Sequence, residues 1–136
     1  MTSETEQLVQ RFITCTLPKA EWTHHAHLRV GLWHVVTHGA EAALPLLRER
    51  ISRYNESVGT INNDHSGYHE TVTAFYVRAI SGAISDQPPV RSLDALAAIV
   101  IERCGDRDFP LRYYSKERLF SVAARRGWVA PDLREI

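Results

Sequence analysis

His24 and His27 stand three residues apart, and further along the chain His69 and Glu70 stand side by side. On a helix, positions i and i+3 are surface neighbours, so two imidazoles at that spacing can reach one point beside the helix. Imidazole nitrogen and carboxylate oxygen are both ligands of zinc, iron and manganese. Two imidazoles from one helix, one from another and a carboxylate would make a shell for a divalent transition metal. The expected site is therefore His24, His27 and His69 as metal ligands, with Glu70 as fourth ligand or as a base. Metal-activated water attacking a small substrate, or metal-assisted proton transfer, is the chemistry such a centre supports. A reading from another class stays open beside it. In that reading the chain is a small-molecule-binding or interaction module without turnover, whose histidines hydrogen-bond a ligand or one another.

The element that must position the first pair is the stretch from Thr23 to Gly39, which holds five of the chain's seven histidines. Thr23 has the chemistry of an N-cap and Gly39 that of a C′ residue, so the bracket reads as one helix. At about 100° per residue, His24, His27, Gly31, His34 and His38 fall within an arc of roughly 80°. His25 points to another face. The remaining positions are mostly apolar, as in a buried helix. His34 and His38 are also at ligand spacing, but the midpoints of the two pairs lie roughly 15 Å apart along the axis, so one metal cannot use all four. Near the helix C-terminus, a protonated histidine at 34 or 38 would simply complement the dipole. Gly31 lets a neighbouring backbone or a ligand come close. Trp22, just before the cap, is placed to act as a staple onto His27 or Leu28.

The second element is a helix expected over residues 68–84, with His69 in its first turn on the core side. Burial and the helix N-terminus both favour neutral imidazole there, a form that ligates metals and accepts protons. Glu70 near the same end would be held ionised, and its bland alternative is a plain first-turn carboxylate. His65 and His69 would pair at i, i+4 if that helix reached back far enough. The loop 59–67 would then wall the site and control access to it.

The rest of the chain supplies packing partners. Ser3 and Glu6 have capping-box spacing and open a helix over residues 3–14. A third helix runs from Ala40 to about Tyr54, either starting at Pro45 or kinked by it. Residues 55–67 are rich in turn formers and read as a long loop. Asp86-Gln87-Pro88-Pro89 is the clearest break. Ser92 caps a helix through Arg103, and Cys104 lies on its apolar side as a small buried hydrophobe. Residues 109–114 read as an extended connector. Ser115 caps a last helix to Arg126, and the tail packs back through Trp128 and Leu133. The sum is an all-α, single-domain bundle of about six helices spanning residues 1–136.

Composition bounds what such a bundle does. With Lys+Arg and Asp+Glu at 16 each the formal net charge is zero, which argues against a nucleic-acid partner. No apolar run has the length of a membrane span. The polar, acidic N-terminus is not a signal peptide, so a cytoplasmic location is expected. Cys15 and Cys104 then stay free thiols. A small-molecule ligand is an expected partner, and the composition says nothing of oligomeric state.

Trp22-Thr23-His24-His25-Ala26-His27-Leu28, Gly67-Tyr68-His69-Glu70-Thr71 and the closing Tyr114-Ser115…Pro131-Asp132-Leu133 resemble the motifs of a family of small bacterial proteins. The resemblance covers most of the chain. It implies that His24, His27 and His69 belong together, and it brings no established activity. A more distant likeness is to the DinB-like helical bundles, which hold a divalent metal with three histidines. This chain departs from them in ligand order and lacks their late H-x-x-x-H, so only the idea of a three-histidine metal site in a bundle carries over.

Overall fold

Ser3, Thr23, Ser92, Ser115 and Ser121 each accept a hydrogen bond from the backbone N–H three residues on, and each starts a helix. These side chains satisfy donors that the first helical turn leaves without a partner. The computed structural model describes residues 3–88 and 91–136. Pro89 of the expected break therefore lies outside the described residues, as do Met1 and Thr2 of the polar N-terminus. Among the described residues there are seven α-helices: α1 (Glu4–Ile13), α2 (His24–His38), α3 (Ala40–Ser57), α4 (Glu70–Ile84), α5 (Leu93–Cys104), α6 (Lys116–Leu119) and α7 (Val122–Arg126). Two short 3-10 turns add Lys19–Glu21 and Phe109–Arg112. The fold is all-α. An isolated bridge between Asn63 and Ser66 is the extent of β pairing among the described residues.

Several boundaries differ from those expected. α3 starts at Ala40 and runs through Pro45 to Ser57, so the following loop is shorter than the turn formers suggested. α4 begins at Glu70, and His69 is its N-cap instead of a first-turn residue. The expected last helix is two short ones. Phe120 leaves helical geometry, and the Ser121 hydroxyl captures the Ala124 N–H to open α7. The connector at 109–114 is a 3-10 turn with Pro110 in its first positions, where proline costs no hydrogen bond.

α2 is the central helix and packs against α1, α3, α4 and α5. The main core lies around it and includes Phe12, Leu17, Leu28, Leu32, Leu47, Tyr54, Ile80 and Val100. A second cluster, Phe75, Tyr114 and Leu119, sits between α4 and the C-terminal segment. Trp128 packs on that cluster as expected, but Leu133 is exposed and the tail is held there by its backbone, Leu133 N–H to Tyr113 C=O at 2.9 Å. Cys104 is buried, and both cysteines are free. No helix among the described residues is long and apolar enough to cross a membrane.

The loop before α4 is organised by Asn62. Its Oδ1 accepts from Asn55 Nδ2 and the Tyr68 N–H, and its Nδ2 donates to Ser52 C=O. Gly67 turns the chain there with φ +76°, and a Cβ would run into Asn62 and the Ile61 carbonyl. Only glycine meets both demands.

Candidate functional site

Between α2, α3 and α4 lies a cavity of about 390 Å³, within the range of small-molecule sites. α2 contributes His24, His27, Leu28 and Gly31, α3 contributes Leu47 and Ile51, and α4 contributes Val72, Thr73, Tyr76, Val77 and Ile80. Trp22 and Thr23 close one side, and Arg107 comes from the segment after α5. Gly31 sets the closeness of the α2–α4 crossing: a Cβ there would stand 3.0 Å from Ile80 Cδ1.

His24 and His27 thus face one cavity. The Trp22 ring stacks on His27 with centroids 3.8 Å apart and on Phe12 at 4.7 Å, so the residue before the cap clamps the imidazole to the core. His27 Nδ1 is 2.7 Å from the Thr23 carbonyl. A carbonyl only accepts, so Nδ1 carries the proton, and the neutral ring keeps its lone pair on Nε2. His27 is exposed, yet protein crowds around its ring. Desolvation pushes its imidazolium well below the ordinary value, the Thr23 carbonyl opposing and His24 adding to the shift. His24 packs its edge against Tyr76, with centroids at 5.8 Å. Its Nε2 is buried and has no hydrogen-bond partner. Burial lowers its proton affinity, against the pull of the nearby Cys104 carbonyl. Arg107 is exposed and is in none of the ion pairs among the described residues.

His69 and Glu70 are placed elsewhere. His69 Nδ1 accepts the Val72 N–H at 3.1 Å, and its Nε2 donates to the Leu119 carbonyl at 2.7 Å. Both nitrogens are used to cap α4 and to hold α6. Burial, with Arg125 nearby, lowers its proton affinity, as its place at a helix N-terminus led one to expect. Glu70 is buried against a second, shallow depression lined by Arg48, Asn62, Asp64, Tyr68 and Arg126 among others. Its carboxylate takes a two-pronged contact from Arg48, Nε at 2.8 Å and the terminal nitrogen at 2.7 Å, and a third bond from Tyr68 OH at 2.7 Å. The Arg48 contact holds it ionised, below the usual carboxylate range. Both oxygens are committed, and the pair ties α3 to α4. No group of three His, Cys, Asp or Glu side chains suited to holding a metal occurs among the described residues.

His34 is fully buried. Its Nδ1 is 2.7 Å from Val30 C=O, and an Arg50 terminal nitrogen is 2.9 Å from its Nε2. The carbonyl must accept and the guanidinium must donate, so the ring is neutral with its proton on Nδ1. That corrects the expectation of a protonated histidine complementing the helix dipole at this position. His38, next along the stripe, is exposed.

Sequence reasoning missed Thr73, Tyr76 and Arg107 as cavity residues. Tyr76 and Thr73 carried a signal, since both share a helical face with Val72 and Ile80. Arg107 carried none, because it lies in an irregular segment. No known protein family, curated protein or solved structure matches the chain.

Proposed function

We propose that the protein binds a small, mainly apolar molecule in the cavity between α2, α3 and α4. One observation carries this: a hollow of about 390 Å³ with a mainly apolar lining and two imidazoles, His24 and His27, in its wall. A molecule that fills such a hollow takes apolar surface out of water, and the imidazoles offer it a polar contact. Toluene titrated into the protein should give saturable NMR shifts at the Gly31, Thr73 and Ile80 amides. Ile51→Trp, which puts an indole into the hollow from α3, should weaken binding strongly. Shifts that never saturate, or that survive Ile51→Trp unchanged, would sink the reading.

A second reading is favoured by the shared placement of His24 and His27 at i, i+3 on the cavity wall. A divalent transition metal (zinc, iron or manganese) held by these two imidazoles and by donors of the bound molecule would polarise that molecule for hydrolysis or proton transfer. Calorimetric titration of zinc should then show weaker binding in His24→Ala and His27→Ala. His25→Ala lies on an exposed face and should bind as the parent does. His69 holds α4 and α6 together, so His69→Ala should lower stability more than metal affinity. Equal zinc affinity in all four variants would remove the metal from the proposal.

A further inference from the structure

We infer that the cavity selects an uncharged molecule with an apolar body and a hydroxyl group, a phenol or a compact alcohol, whose O–H donates to His27 Nε2. This rests on the small-molecule reading of the cavity above. Thr23 fixes the tautomer of His27. Its backbone carbonyl takes the His27 Nδ1 proton at 2.7 Å, so the uncharged ring has its lone pair on Nε2 and asks for a donor. A carboxylate has no proton to give that lone pair and is repelled by it, although Arg107 in the wall would attract it. A cation could donate, but no carboxylate among the described residues lines the cavity to compensate its burial, and Arg107 stands in the wall with the same sign. A neutral O–H supplies the donor that His27 Nε2 asks for without bringing a charge into the hollow. The remaining lining sets the body of the molecule: Trp22 stacks on the His27 ring, and Gly31 and Ile80 meet in the wall.

Four probes of one shape separate the alternatives: toluene, p-cresol, p-toluate and p-methylbenzylammonium, with affinities read from NMR titration. p-Cresol should bind about five- to tenfold more tightly than toluene, the net worth of one hydrogen bond. The two charged probes should bind more weakly than p-cresol. His27→Phe keeps a flat ring on Trp22 and removes the acceptor, so p-cresol and toluene should then bind alike. Equal binding of toluene and p-cresol by the parent protein, tightest binding of p-toluate, or an undiminished p-cresol preference in His27→Phe would each overturn the inference and leave the cavity reading standing. Failure of all four probes would instead overturn the cavity reading. The parent series decides the ligand class even if His27→Phe does not fold.

Discussion

Lowering the pH from 7 to 4 should destabilise the fold by about 3 kcal/mol through His34 alone. In the unfolded chain this imidazole takes up its proton near the ordinary 6.5, whereas burial holds the folded one down to about 4, with Arg50 and His38 adding to the shift and the Val30 carbonyl opposing it. Above 6.5 neither state is protonated and the full stability is present. Between 6.5 and about 4 the unfolded state binds more protons, so stability falls as pH falls. Below about 4 both states are charged and the loss is complete. The geometry agrees with the sign, since a proton on Nε2 would abolish the 2.9 Å bond from Arg50 and set two cations together in the core. His24, His27 and His69 are shifted the same way and steepen the slope. Glu70, held low first by Arg48, acts in a separate window further down, where its carboxylate protonates. Urea denaturation across this range should show the loss. His34→Leu should reduce proton uptake on unfolding near pH 5 by about one, a slope change of about 1.4 kcal/mol per pH unit. A His34 ring that titrates near 6.5 by NMR would contradict the argument.

The central helix was legible because its limits are local. Thr23 and Gly39 act on backbone groups within a turn of themselves, and both do what their residue types require. The same holds for Ser3, Ser92 and Ser115. Ser121 was not legible as a helix start, because a serine inside a run of helix formers looks the same whether its hydroxyl faces water or captures a backbone N–H. Trp22 as a clamp on His27 was readable from its place before the cap, and the stacked rings bear it out.

The candidate site was legible in half. The i, i+3 spacing put His24 and His27 on one wall, since helical geometry alone decides that. It could not place His69 or Glu70, because histidine and glutamate serve structure and chemistry with the same atoms. Their roles depend on Leu119 and Arg48, partners distant in sequence that no periodicity announces. His34 shows the same limit. Its position on the stripe was read correctly, but its neutral state follows from Arg50 on α3.

Replacing Thr71 by valine should cost about 2 kcal/mol and release the C-terminal segment from the bundle. Thr71 is fully buried, and its hydroxyl works in both directions. It donates to Gly127 C=O at 2.7 Å and accepts the Val129 N–H at 3.1 Å. Valine keeps the shape and leaves both backbone groups unpaired against the protein. The segment has other ties: His69 to Leu119, Arg125 to the Gly67 and Tyr68 carbonyls, Arg126 to Asp64, and Arg78 over the Trp128 ring at 4.1 Å. The Arg126–Asp64 pair is exposed and worth little, whereas the Thr71 side chain is fully buried at the point where the chain turns into the tail. Its loss should therefore be felt locally before it is felt globally. The Val129 amide should exchange faster in Thr71→Val, and proteolysis should nick the chain after residue 126 while α1 to α5 stay intact. Thr71→Ser keeps both hydrogen bonds and loses one methyl, so it should keep the tail docked. On this argument Tyr68, His69, Glu70 and Thr71 form one structural device: Tyr68 and Glu70 face Arg48, and His69 and Thr71 face the C-terminal segment. Unchanged exchange at Val129 in Thr71→Val, or equal losses in the valine and serine variants, would show that packing and not the hydroxyl holds the tail.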